Sequence, residues 1–425
     1  MGGKSRIYLV GIGGIGMSAL AQLLQKEGKT IRGSDREESP TTKLLGEKGI
    51  RVLIGDGKNI PPDTELLIYS DAVPAEHPDR AGAREMKIPQ ISYFEALGQI
   101  SKEKRTIAVA GTHGKTTTTG MLAKILHDAE KKPTAIIGSI VSDFGSNFLG
   151  GEGEWFIVEA CEYRDHLLEL SPHVLVITNI ELDHTDYFPS LTALQDTFRI
   201  AVERVPKTGA IIANPSDPAV AAILKGARAP VVDYTKESVP ELQLIGGFNI
   251  LNARAAKAAA RAAFPELPVA TADRALANFK GTWRRFEYKG ETPKGALVFD
   301  DYAHHPTAIE ETIKAVREKY PSKKIVVAFH PHLYSRTKSF LHEFAAALAK
   351  ADAAFVAPIY AAREVPDPSI TNEVLASAAQ AQGGAVMAGT FDEIREKLLA
   401  EDDQAIIITM GAGDIYKVAE QITEE

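Results

Sequence analysis

"VAGTHGKTTTTG", residues 109–120, follows the apolar run "TIAVA" and leads into "MLAKILHDA". A strand, a glycine-rich turn and a helix in that order form a phosphate-binding loop, where backbone N–H groups and the helix N-terminus meet an anion. The usual spacing places a glycine five positions before Gly114, and Val109 stands there; Gly111 is the first glycine instead. The working parts are present. Lys115 is placed to reach terminal phosphates and the Thr116 hydroxyl to ligate Mg²⁺. Four consecutive threonines, Thr116 to Thr119, are poor helix formers that packing alone does not readily explain. The bland alternative is a threonine-rich helix start.

The chain opens on another such turn. "GIGGIG" places Gly11, Gly13 and Gly16 in G-x-G-x-x-G spacing between "IYLV" and "MSALAQLLQKEG". Asp35 closes the next strand, where dinucleotide-binding proteins hold a ribose hydroxyl. Taken alone, this turn favours a nicotinamide or flavin, although glycines needed only for helix–sheet packing would read the same.

Between and beyond these turns, short apolar runs alternate with amphipathic stretches, the pattern of parallel α/β sheets. With 425 residues the chain exceeds one ordinary core. Two or three domains are expected, and the pattern falls into three blocks: one to about Ile100, one from "TIAVAG", and one after "YKGETPKG". "SKEKR", 101–105, reads as the first linker. A net charge of -8 without a basic cluster argues against nucleic acid. The single cysteine, Cys161, excludes an intrachain disulfide framework and suits a reducing cytoplasm. No apolar run approaches membrane-spanning length, and "MGGKSR" has no signal-peptide layout; Arg6 stands where an acylation site wants serine or threonine. A cytoplasmic protein is expected; the sequence leaves its oligomeric state open, monomer or weak dimer.

Polar residues gather just after apolar runs: Gly111, Glu159, Asn179, His184, Asp300, His330 and Gly411. Ligands of open α/β sheets sit beyond those strand ends. Glu159, Glu162, Asp183 and His184 are the candidate Mg²⁺ ligands, with His184 equally readable as structural.

"GTHGKTTTT", "TNIELDH", "FNILNA", "WRRFE" and "DDYAHHP", in this order, resemble the Mur ligases, the ATP-dependent amide-forming enzymes of peptidoglycan assembly. "GIGGIGMSALA", "YAARE" and "MGAGDI" are similar to its alanine-adding branch. The resemblance implies three domains: a Rossmann-like 1–104, a central P-loop ATPase 105–287 with a mainly parallel sheet, and a Rossmann-like 288–425. It implies that the first turn holds UDP-N-acetylmuramate through Gly11, Gly13, Gly14, Gly16, Ser18, Asp35 and Ser70, and not a nicotinamide. It implies ATP on Gly111, Thr112, His113, Gly114, Lys115, Thr116, Thr117 and Asn252, with Mg²⁺ on Thr116, Glu159 and His184. Lys115, His184, Asn249, Arg285 and Asp301 become the expected catalytic residues. His332, Arg336 and Tyr360 become the pocket for L-alanine, Arg336 pairing with its carboxylate.

Departures from the family pattern are local. "EACEYRD" replaces a more acidic loop, Phe248 replaces a histidine, and Leu333 replaces an arginine. The Leu333 change leaves glycine, serine or another small amino acid open. The stretch "LTALQDTFRIAVER" lacks the lysine that other Mur ligases carbamylate, which favours the alanine-adding branch. The competing expectations are a recycling ligase that adds a tripeptide to the same sugar, a nicotinamide dehydrogenase, and a non-enzymatic nucleotide switch.

Overall fold

The computed structural model describes residues 5–55, 57, 60–362 and 364–424. The acylation-like start Met1–Lys4 and Arg363 of "YAARE" lie outside the described residues. Each of three sheets grows from apolar runs that are short, buried and rich in valine and isoleucine, as strands covered on both faces must be.

The first sheet comprises β1 (Arg6–Val10), β2 (Thr30–Asp35), β3 (Arg51–Ile54), β4 (Leu66–Tyr69) and β5 (Gln90–Ser92), in spatial order β3-β2-β1-β4-β5 and wholly parallel. The order reverses between β1 and β4, so a crevice opens beyond their ends. Gly11 and Ser70 flank it, and a Cβ on Gly11 would stand 3.1 Å from Ser70 Cβ.

The second sheet comprises β6 (Arg105–Ala110), β7 (Thr134–Val141), β8 (Ser146–Leu149), β9 (Trp155–Glu159), β10 (Val174–Ile177), β11 (Ala210–Ala213) and β12 (Val231–Asp233). Its order is β12-β11-β10-β6-β9-β7-β8, and only β8 runs antiparallel. The phosphate-loop strand β6 thus lies between β10 and β9.

The third sheet holds β13 (Glu287–Glu291), β14 (Leu297–Asp301), β15 (Lys324–Phe329), β16 (Ala353–Val356), β17 (Val386–Ala388) and β18 (Ala405–Met410). Its order is β13-β14-β18-β15-β16-β17, parallel except for the edge hairpin β13–β14.

Contacts gather the chain into two compact units. The first contains residues up to Ile180, Gln195–Pro240 and Asn252–Ala277; the second contains Glu181–Leu194, Glu241–Leu251 and the chain from Asn278 onward. Both glycine turns therefore belong to one unit. The reason is a buried polar network between the helix Ile15–Lys26 and the β7–β8 hairpin. Asn147 Nδ2 donates to Ser18 Oγ at 2.8 Å, and Gln22 Nε2 donates to Asn147 Oδ1 at 3.0 Å. "SKEKR" is no linker. Ser101 to Glu103 end the helix Tyr93–Glu103, and Arg105 starts β6. A capping box between Ser92 and Glu95 starts that helix, and burial of Ile100 and Ser101 carries it through the polar stretch. Among the described residues no helix is long and apolar enough to cross a membrane.

Candidate active site

The second glycine turn is a tightly held loop. Gly111 (φ +124°) and Gly114 (φ +83°) occupy conformations that L side chains avoid. A Cβ on Gly111 would overlap Thr178 Oγ1, and one on Gly114 would overlap Asn252 Oδ1. Asn179 clasps the turn by accepting from His113 N at 2.9 Å and donating to His113 O at 3.1 Å. Gly114 caps the helix Lys115–Asp128, whose first N–H groups face the loop.

Lys115 Nζ donates to both oxygens of Glu162 at 3.1 Å and to the Thr112 carbonyl at 3.2 Å. Burial pulls its pKa down, but Glu162 and the nearby Cys161 and Glu159 more than offset this and hold it above the ordinary lysine value. Lys115 is therefore a permanent cation. Glu162, read from sequence as a possible metal ligand, is the lysine's partner. The Cys161 thiol is pushed up to about 12 by burial and then by Glu162, so it is no nucleophile.

Thr116 Oγ1 donates to Glu159 Oε1 at 3.0 Å, while Glu159 Oε2 accepts from Gly138 N at 2.9 Å. A hydroxyl and a carboxylate at this distance are hard oxygen donors, and they fit Mg²⁺. The threonine run has a packing explanation after all. Thr116 to Thr119 are all buried, Thr119 Oγ1 returns to Lys115 O at 2.7 Å, and Thr118 Oγ1 reaches Asn252 Oδ1 at 3.3 Å.

In the first turn, Asp35 Oδ2 accepts from Gly13 N at 2.7 Å, and Thr41 Oγ1 donates to Gly13 O. Asp35 thus shapes the loop from within. Gly14 caps the helix Ile15–Lys26 without a side chain. Ser18, expected among the UDP-sugar-binding residues, is fully buried, donating to Ile15 O at 3.0 Å and accepting from Asn147. Gly16 is hemmed by Tyr93, whose Oη would stand 2.5 Å from a Cβ there. Nothing in the local pattern of residues 90–95 flagged Tyr93.

The remaining expected residues lie in the second unit. His184 adopts φ +52°, with its N–H donating to Asp183 Oδ1 at 2.7 Å. The same oxygen accepts from Arg336 Nε at 3.0 Å and Nη2 at 2.8 Å. Asp183, a candidate metal ligand by sequence, is therefore committed to an arginine. Burial alone would raise its pKa, yet Arg336 and the histidines around it hold the carboxyl well below its ordinary range. Arg336, expected to receive a substrate carboxylate, is buried and already has one. Its Nη1 lies 3.1 Å from His332 Nδ1, and the His332 ring stacks on Tyr360 at 5.7 Å. Leu333 is buried at φ +70°, so its side chain fills core where the family pattern has a cation.

Asn249 Nδ2 donates to Ile245 O at 2.7 Å. Arg284 is structural, pairing through Nε with Asp300 at 2.8 Å and donating to the Gly411 and Gly413 carbonyls. The neighbouring Arg285 instead lays its guanidinium 4.8 Å over the Tyr302 ring. Asp301 accepts from Thr312 Oγ1 at 2.8 Å, and burial pushes its carboxyl up to about 6. His305 caps the helix Pro306–Lys319, as a strand–helix turn can require.

Three family models match the chain in sequence order. Residues 6–105 match the Mur ligase family, catalytic domain; residues 109–243 the Mur ligase middle domain; and residues 284–413 the Mur ligase, glutamate ligase domain. The chain is 37% identical to the UDP-N-acetylmuramate–L-alanine ligase of Alkaliphilus metalliredigens, over 99% of this chain and 97% of that protein. It is 36% identical to the same ligase of Bdellovibrio bacteriovorus, over 99% of each. Among solved structures, the UDP-N-acetylmuramate–alanine ligase of Thermotoga maritima superposes with a TM-score of 0.82 at 27% identity, covering 99% of this chain and 98% of that one. A murein peptide ligase from Psychrobacter arcticus gives 0.74 at 25% identity, covering 98% of both chains.

Proposed function

This chain belongs to the Mur ligase family, and we propose that it joins L-alanine to the lactyl carboxylate of UDP-N-acetylmuramate at the expense of ATP. The observation that carries this reading is the presence of two anion-binding glycine turns in one compact unit, beside full-length similarity to alanine-adding ligases. A carboxylate is a poor electrophile, because oxide is a bad leaving group. Attack of the lactyl oxygen on the γ-phosphorus of ATP forms a C–O–P bond and breaks the bond to ADP. The L-alanine amine then attacks the acyl carbon, and phosphate leaves with the oxygen that came from the lactyl group.

The first step brings two anions together, so positive charge must be fixed beside them before they meet. Lys115 supplies it as a cation at every physiological pH. The loop N–H groups following Gly111 and the helix N-terminus after Gly114 orient the phosphates. Thr116 and Glu159 would hold Mg²⁺, which supplies further charge against the phosphates. A dehydrogenase has no use for Lys115 paired to Glu162 beside Thr116 and Glu159, and that reading is set aside. The ligase is proposed to work in the cytoplasm, where UDP-sugar and ATP are both available.

Phosphate release in the presence of UDP-N-acetylmuramate, ATP and Mg²⁺ tests the proposal. L-Alanine should support turnover far better than glycine, L-serine or a tripeptide. Turnover with tripeptide alone would convert the enzyme to the recycling activity, and none with any acceptor would exclude a ligase. With ¹⁸O in the lactyl carboxylate, one labelled atom should appear in the phosphate released.

A further inference from the structure

Tyr93 packs against the first glycine turn. It is the first residue of the helix Tyr93–Glu103, and its ring edge and hydroxyl lie against Gly16 of the first turn. A Cβ at residue 16 would come within 2.5 Å of the phenol oxygen and 2.6 Å of Cζ. The third glycine of "GIGGIG" is thus required by Tyr93, whatever else it accommodates. The phenol also feels the charge of Glu159, the carboxylate bonded to Thr116 in the second turn. Burial, then Glu159 and Cys161, raise its pKa, so it stays a neutral O–H donor.

The side chain is buttressed. Tyr93 meets Phe94 edge-on at 4.9 Å, and Phe94 stacks on His166 at 3.7 Å. His166 Nε2 pairs with Asp71 Oδ2 at 2.6 Å, in the loop after β4. His166 directly follows the "EACEYRD" segment, residues 159–165, that carries Glu159 and Glu162, so one stretch of chain sets both the phosphate-side carboxylates and the wall behind Tyr93. Tyr93 as a residue is half-buried.

Resting on the function proposed above, we infer that the Tyr93 hydroxyl donates a hydrogen bond to the lactyl carboxylate and aims it from the first turn toward the second. A sugar nucleotide anchored by its diphosphate at the first turn must extend its acid toward the triphosphate. Tyr93 offers a donor against Gly16, and its phenol feels the charge of Glu159. A neutral phenol suits the task, because it orients the carboxylate without neutralising the nucleophile.

Tyr93→Phe keeps the ring and its contact with Phe94, and deletes only the donor. Calorimetric titration of wild type and variant with UDP-N-acetylmuramate and with UDP-N-acetylglucosamine, which lacks the lactyl acid, separates the roles. The variant should bind the muramate about tenfold more weakly or worse, the usual cost of losing a hydrogen bond to a charged group, and the glucosamine equally well. Its kcat should fall while the KM for ATP holds. Equal losses for both sugars, or no loss for either, would overturn the inference alone. Wild-type protein that binds neither sugar would overturn it together with the functional reading.

Discussion

Lys115 Nζ sits 3.1 Å from each carboxylate oxygen of Glu162, and Glu162 is almost wholly enclosed. Removing one member of a buried pair strands the other's charge, at a cost of about 3 kcal/mol or more. Lys115→Met should therefore lower stability in urea unfolding, and Lys115→Met combined with Glu162→Gln should recover most of the loss. Phosphate release should be abolished in both. Activity in the well-folded double variant would show that Lys115 is not the phosphate clamp.

Gly114 lends itself to a backbone test. Alanine there meets the left-handed penalty of about 1 kcal/mol and must also push Asn252 aside. Gly114→Ala should cost about 2 kcal/mol of stability and weaken ATP binding at least tenfold in a fluorescence titration. Intact ATP affinity would mean that the loop reshapes freely and that its clasp by Asn179 and Asn252 is unimportant.

The central elements were readable from sequence because they are short apolar runs ending in glycine or a polar residue. β6, β9, β10, β14, β15 and β18 all follow that rule. Edge elements were not. β13, "EYKGE", is polar because an edge strand needs no apolar face, and it read as the joint before the third block. The site was legible where chemistry is local, as in Gly114-Lys115-Thr116. It was illegible where topology makes the pairing. Asp183 and Arg336 are 153 positions apart, so no spacing rule joins them. Tyr93 resembles any aromatic helix start until Gly16 is seen packed against it.

Asp301 sets a pH test. Its carboxyl is raised from 3.8 to about 6, first by burial, against the Thr312 hydrogen bond and the charge of Arg285. The folded state thus holds a proton that the unfolded state has released between those values, and stability falls as pH rises through that window. The difference, about 2 pH units, corresponds to roughly 3 kcal/mol. Asp301→Asn should therefore stabilise the fold by up to that amount at pH 7.5 and by little near pH 4, while phosphate release drops. An equal effect on unfolding at both pH values would contradict the raised carboxyl.

The Asp183–Arg336 pair makes the opposite acid prediction. Because Arg336 depresses the Asp183 pKa, the pair's contribution is present above the ordinary carboxylate value of 3.8 and fades only as pH falls through the depressed one. Asp183→Asn should thus cost about 3 kcal/mol, undiminished from pH 7 down to about pH 5. Asp183→Asn with Arg336→Met removes both charges and should regain stability. The same double variant settles what Arg336 does for the substrate. Arg336 Nη1 holds His332, which stacks on Tyr360, so its loss should free that ring and raise the KM for L-alanine while leaving the KM for ATP alone. An unchanged KM for L-alanine in the folded double variant would confine Arg336 to holding the Asp183–His184 turn in place.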